Sequence, residues 1–119
     1  MAEHDTPGLE PEPPEGMVRL YLGLFKTGAQ TDADPARSEQ QLQEDQRAHL
    51  ANFGKLASAG KLLMAGPTPD DSDVRGVVIL KAESMQEAES YFAADPHITS
   101  GRMRLEIHPW LVEERALKT

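Results

Sequence analysis

Apolar and polar positions alternate with period two from Met17. In the run MVRLYLGLF, Val18, Leu20, Leu22 and Leu24 point to one side and Arg19, Tyr21, Gly23 and Phe25 to the other. Such alternation marks a strand with an apolar face and a mixed face. After the turn-rich KTGAQTDADPAR the period lengthens, predicting a helix from about Ser38 to Ala59, stopped near Gly60. KLLMAG reads as a second strand, PTPDDSD as a turn, and VRGVVILK as a β-branched third strand. The second predicted helix opens on Ser84 and Glu87, spaced as a capping box, and carries Met85, Ala88 and Phe92 on one face. It ends at ADP, where Pro96 disfavours further helix. RMRLEIHPW closes the series, with Met103, Leu105 and Ile107 on one side and Arg102, Arg104, Glu106 and His108 on the other.

The order β-α-β-β-α-β with right-handed crossovers predicts an α+β, ferredoxin-like sandwich: a four-stranded antiparallel sheet with both helices on one face. The leucine face of the first strand is expected under the helices. Arg19, Tyr21, Arg104, Glu106 and His108 are then left on the open face. An open sheet face of that size calls for a cover, most simply a second copy of the chain.

Composition narrows the function classes. The 119 residues suffice for one domain, and 39% hydrophobic with 27% charged residues is ordinary for a globular chain. No run approaches the roughly 18 apolar residues of a membrane span, and no secretory signal is evident, so a cytoplasmic location is expected. With no cysteine there is no thiolate nucleophile and no disulfide framework. The net charge of −8 argues against binding along a nucleic-acid backbone. Five acids (Glu3, Asp5, Glu10, Glu12 and Glu15) precede any Lys or Arg, so the rest of the chain is close to neutral. Together with Pro7, Pro11, Pro13 and Pro14 they make residues 1–16 an expected disordered tail. Residues 17–112 form the expected domain and 113–119 a C-terminal tail.

LYLGLF resembles the first-strand motif of RNA-recognition domains, with Tyr21 as the stacking aromatic. RGVVILK, however, has Val77 and Ile79 where that fold needs rings. DDSDVRG lacks the ligands of a calcium loop, with Arg75 and Ala82 at two required positions. His97 and His108 have no zinc-motif spacing, no G-x-S-x-G occurs, and no phosphate-cradling glycine loop is present. Neither a metal nor a cofactor is therefore expected.

His49 stands apart. On a helix at about 100° per residue, Leu42, Phe53 and Leu56 fall within about 40° of it, so a polar ring sits in an apolar stripe and needs a partner. Periodicity alone does not name that partner, and a structural role for the ring stands beside a catalytic one.

The succession HLANFGKLASAGKLLMAGP, a hairpin, ESMQEAESYFAADP, a Gly and EIHPW resembles the YCII-like (YciI) family over about residues 17–111. That resemblance implies a ferredoxin-like fold that dimerises as a dimeric α/β barrel, and a site centred on a histidine and an aspartate. By position these correspond to His49 and Asp95. Relatives of the family include a dehydrochlorinase of a chlorinated aromatic and, more distantly, muconolactone isomerase. Two departures touch the implied pocket: His97 follows Asp-Pro where an aromatic or apolar residue is usual, and Gln46 stands where the bacterial type often has Arg.

The expected function is a small His/Asp acid–base enzyme that moves a proton on a small organic molecule, as a lyase, dehydrochlorinase or isomerase does. His49 and Asp95 are its catalytic pair; Gly66, Pro67, His97, Arg19 and Tyr21 contact substrate. A non-catalytic ligand-binding or accessory dimer is the alternative. The partners expected are a second copy and a small-molecule ligand, with assembly beyond a dimer left open.

Overall fold

A computed structural model of the protein describes residues 10–29 and 38–117. Strand β1 (Met17–Thr27) leads into helix α1 (Glu39–Ser58), strands β2 (Leu62–Pro67) and β3 (Val74–Leu80), short helices α2 (Met85–Ser90) and α3 (Pro96–Thr99), and strand β4 (Met103–Glu113). A 3-10 turn, Glu114–Leu117, follows. The sheet order is β2-β3-β1-β4 and every neighbouring pair is antiparallel. This is the ferredoxin-like arrangement expected from the order of elements. No helix is long and apolar enough to cross a membrane among the described residues.

Local chemistry fixes the element ends. Ser38 caps α1: its side chain accepts from Gln41 N while the Gln41 side chain accepts from Ser38 N, a complete capping box. Gly60, at φ 76°, ends that helix in a conformation that suits glycine. Ser84 caps α2, but Glu87 reaches back to Glu83 N rather than to Ser84 N. The second helix is shorter than its apolar spacing predicts. It stops at Ser90, and Pro96 opens α3 instead of closing α2, because the first helical position needs no N–H.

The faces of β1 are the reverse of the sequence expectation. Directly opposed residues share a face, and Tyr21 pairs with Leu80, Gly23 with Val78 and Ile107, and Phe25 with Leu105. These belong to the core under the helices, with Leu56, Leu62, Ala88 and Phe92. Leu22 and Leu24 instead share the open face with Val77 and Ile79. Arg19 and Tyr21 therefore lie on the helix side, while Arg104, Glu106 and His108 do share the open face with the leucines. The core side took the rings because it has a thick layer to fill: Phe25 packs edge-on against Phe92 at 5.3 Å between centroids. Gly23 lets the neighbouring chains close in, since a Cβ there would stand 2.7 Å from Val78 Cγ2.

Tyr21 is fully buried, so its hydroxyl needs a partner inside the protein. Glu10 supplies it: one carboxylate oxygen accepts from the Tyr21 hydroxyl and the other from Met85 N at 2.7 Å. Arg19 donates to the Tyr21 hydroxyl and to Pro11 O. Burial, then the hydrogen bond to Glu10, pushes the Tyr21 phenol up to about 12. Within the segment expected to be a free tail, residues 10–16 are thus held to the domain, and Glu114 N also donates to Gly16 O. The rest of that segment, residues 1–9, and most of the turn-rich stretch after β1 lie outside the described residues.

The open face is apolar, with Met64 70% and Trp110 44% exposed. Its charged groups satisfy one another: Glu106 accepts from Lys26 at 2.9 Å and from His108 at 2.8 Å. Those bonds, the one from His108 first, hold the Glu106 carboxyl down to about 2.

Candidate active site

The inward side of α1 carries Asp45, His49, Phe53 and Leu56; Leu42, expected in the same stripe, is 39% exposed. Asp95 reaches His49 from across the layer because of how the chain turns after α2. As N-cap of α3, Asp95 accepts from His97 N through Oδ1 at 2.9 Å. The second oxygen, Oδ2, lies 2.5 Å from His49 Nδ1. The Asp95 side chain is wholly buried and that of His49 nearly so. The two carboxylate oxygens thus divide their roles, Oδ1 holding the backbone turn and Oδ2 the imidazole.

A carboxylate accepts, so His49 donates from Nδ1 and its remaining nitrogen, Nε2, has no partner among the described residues. The ring plane is fixed by Phe25, edge-on at 5.5 Å, by Phe53 at 4.4 Å and by His97 at 4.5 Å. A cavity of about 340 Å³ opens beside it between α1 and the β2–β3 edge of the sheet. Phe25, Phe53, Leu50, Val78 and Met103 make its apolar walls; Gln46 and Arg75 bring the other polar side chains.

Gly66 and Pro67, expected to contact substrate, line this cavity with His49. A close backbone approach occurs at the neighbouring Gly76. A Cβ on Gly76 would lie 3.2 Å from Gly66 O, whereas one on Gly66 would meet nothing within 4 Å. Arg19 and Tyr21 are not among the lining residues: Tyr21 is sealed in the core and both are engaged with Glu10. His97 backs the ring of His49 and does not line the cavity. Its Nε2 meets Gln46 Oε1 at 2.7 Å and its Nδ1 meets Arg102 Nη2 at 2.5 Å. Arg102 Nη2 also lies 3.3 Å from the buried Asp45 carboxylate. Burial lowers the His97 pKa, and the adjoining His49 ring and Arg102 guanidinium lower it further, against the pull of Asp95 and Asp45. Sequence reasoning missed Asp45, Arg75 and Arg102 as members of this neighbourhood. The one available signal was an acid at position 45, one turn before His49 on a face otherwise apolar. Among the described residues no three His, Asp or Glu side chains gather as a metal site.

The arrangement is chemically specific. An imidazole fixed in the Nδ1–H form offers a lone pair at Nε2, and the carboxylate behind it favours the imidazolium formed on taking a proton. Apolar walls suit a flat carbon skeleton, and no side chain at the site is poised as a nucleophile with its own base.

Comparisons with known proteins agree with this fold. The YCII-related domain model matches residues 26–111. The uncharacterized protein YjpA of Bacillus subtilis (strain 168) is 31% identical over 78 residues, 66% of this chain and 89% of that protein. Protein YciI of Escherichia coli O6:H1 is 37% identical over 62 residues, 45% of this chain; the match spans 63% of that relative's length. Among solved structures, the 5-chloro-2-hydroxyhydroquinone dehydrochlorinase (TftG) of Burkholderia phenoliruptrix AC1100, in complex with 2,5-dihydroxybenzoquinone, aligns with a TM-score of 0.53 at 25% identity. The alignment covers 76% of this chain and 92% of that one.

Proposed function

The chain belongs to the YCII-related domain family, and on that premise we propose that it is a small acid–base enzyme acting on a small organic molecule held beside His49. One observation carries the reading: a buried His49–Asp95 pair leaves Nε2 without a partner beside a mostly apolar cavity. The lone pair of Nε2 takes a proton from a carbon of the substrate. The electron pair of the broken C–H bond passes to an adjacent carbonyl, giving an enolate, or forms a double bond as a leaving group departs. Asp95 stabilises the imidazolium through Nδ1–H, and returning the proton at another carbon completes an isomerisation. The dehydrochlorinase among the aligned structures supports the eliminating version.

The test is solvent-deuterium exchange into a panel of small carbon acids, with chloride release from 5-chloro-2-hydroxyhydroquinone as one member. The wild type is expected to accelerate at least one, and His49→Gln and Asp95→Asn to slow it about 100-fold or more while still melting cooperatively. Wild-type rates in both variants overturn the assignment. Binding of 2,5-dihydroxybenzoquinone at His49 without any proton transfer favours a ligand-binding module.

The functional unit in this proposal is a homodimer in which a second copy covers the open face of the sheet. Support comes from that face itself, where Leu22, Leu24, Val77 and Ile79 form a continuous apolar patch edged by Met64 and Trp110. Sedimentation at micromolar concentration is expected to give a dimer, and Leu22→Lys a monomer. A wild-type monomer overturns the pairing.

A further inference from the structure

Gln46 precedes His49 by almost one turn of α1 and lines the same cavity. Which end of its amide faces a ligand is decided by residues distant in sequence. Arg102 donates and has no lone pair to accept with, so His97 Nδ1, 2.5 Å from Arg102 Nη2, is an acceptor. A neutral ring accepting at Nδ1 carries its proton on Nε2. The Gln46 atom 2.7 Å from that N–H must then be the carbonyl oxygen. Its NH2 group is turned the other way and has no partner among the described residues. The polarity of the chain is therefore fixed from end to end. Asp45 faces Arg102 as an ion pair at 3.3 Å, Arg102 donates to His97, and His97 donates to Gln46, whose NH2 is left to donate elsewhere. Arg75 lines the cavity as well, and no carboxylate pairs with it among the described residues.

We propose that Gln46, oriented by the Asp45–Arg102–His97 chain, is a ligand-binding residue. With Arg75 it donates to an anionic oxygen (a carboxylate, phenolate or enolate) of a molecule whose reacting carbon faces His49 Nε2. The second half of that statement rests on the acid–base reading; the preference for an anionic oxygen does not. Fixed donors aimed at such an oxygen stabilise the charge left when a carbon proton is removed, and they reject analogues with no oxygen to receive them. His97 and Arg102 are positioning residues: they act through Gln46.

The test is calorimetric titration of the full chain with benzoate and with benzamide, two probes of nearly one shape that differ in the anionic oxygen. The wild type is expected to bind benzoate about tenfold or more tightly than benzamide. Gln46→Glu keeps an acceptor for His97 but replaces the donors with a second carboxylate oxygen. It is expected to cost benzoate about tenfold or more and to leave benzamide within about twofold. His97→Phe keeps a ring against His49 and removes the orienting N–H, so benzoate affinity falls about threefold or more. The double variant Gln46→Arg/His97→Phe offers donors in every orientation and is expected to restore it. The proposal is overturned if the wild type shows no preference, if Gln46→Glu weakens both probes equally, or if His97→Phe binds benzoate as the wild type does. His49→Gln separates the two readings: it is expected to leave the benzoate-to-benzamide ratio intact while proton transfer is lost. A preserved ratio together with wild-type exchange in His49→Gln would count against the acid–base role alone.

Discussion

Replacing Asp95 with Asn changes one atom at Oδ2 and inverts the chemistry of His49. The retained Oδ1 still accepts from His97 N, so the cap of α3 survives. In place of Oδ2, an NH2 group now stands 2.5 Å from His49 Nδ1–H. Two donors cannot face one another, so the ring moves its proton to Nε2 and accepts at Nδ1. The nitrogen left without a partner has turned from an acceptor into a donor. In free energy, a charge-assisted buried bond of about 1.5–3 kcal/mol is exchanged for a neutral one of about 0.5–1.5 kcal/mol, a loss of about 1–2 kcal/mol. Asp95→Ala costs more. It loses the cap, about 1 kcal/mol, and strands a buried Nδ1–H, about 1–3 kcal/mol, on top of the lost bond. Its expected cost is about 3.5–7 kcal/mol in total. On the proposed acid–base role, activity is expected to fall about 100-fold or more in both variants, but only the Ala variant is expected to lose most of its stability. Urea unfolding followed by circular dichroism measures the two costs, and long-range proton–nitrogen correlation spectra of the imidazoles report the tautomers directly. In the wild type His49 should read Nδ1–H while His97, fixed by Arg102, reads Nε2–H; in Asp95→Asn both should read Nε2–H. A His49 still protonated at Nδ1 in the Asn variant, or equal stability losses for Asn and Ala, would refute the division of labour between the two oxygens.

Three further outcomes rest on burial and close packing elsewhere in the domain. Both tyrosines sit at about 12, Tyr21 through burial and Glu10, Tyr91 through burial and the charge of Glu87. Spectrophotometric titration should therefore show no phenolate near pH 10, and half-ionisation there would contradict the packing. Because both phenol pKa values are raised on folding, their contribution to stability holds below pH 10 and is lost as pH climbs toward 12. The His97 pKa is lowered on folding, so the unfolded chain binds its proton more readily. That contribution is complete above the unfolded value of about 6.5 and drains away as pH falls through the folded one. The fall should vanish from the urea midpoint of His97→Phe, and an unchanged pH profile in that variant would contradict it. At Gly28 a Cβ would lie 2.2 Å from Gly101 O, a backbone atom that cannot swing aside. Gly28→Ala should cost about 1–3 kcal/mol or more, read from the same urea curves, whereas a neutral effect would refute the tight crossing of these two segments.

How far these features were legible in the sequence depends on the range of the forces behind them. The ends of α1 were readable because Ser38 and Gly60 act within a few residues of themselves, whereas the early end of α2 was not. Strand order followed from element order and chirality. The face of β1 was not readable from hydrophobicity, because both its faces are apolar: Leu22 and Leu24 on one, Phe25 and Tyr21 on the other. Regular leucines look like a core face, yet volume decides, and the space between sheet and helices is filled by rings. The burial of Tyr21 turned on Glu10, eleven residues away in a segment whose composition alone suggests no structure.

The site divides along the same line. His49 announced itself, since a polar ring in an apolar stripe needs a partner wherever the chain goes. Asp95 reads locally as a turn former, and so it is through Oδ1; its second oxygen is free to serve His49 only because α2 ends early and α3 starts at Pro96. Gln46 and His97 are the limiting case. They lie 51 residues apart and stand out in the sequence as two unrelated departures from the family's pattern. In the folded chain they are one feature, since each supplies what the other lacks: His97 needs an acceptor for Nε2–H, and Gln46 needs a reason to face one way. That reason begins at Arg102, a guanidinium with only donors to give. The orientation of one cavity-lining amide is thus set by a residue that does not line the cavity, and a single sequence carries no periodic trace of such a chain.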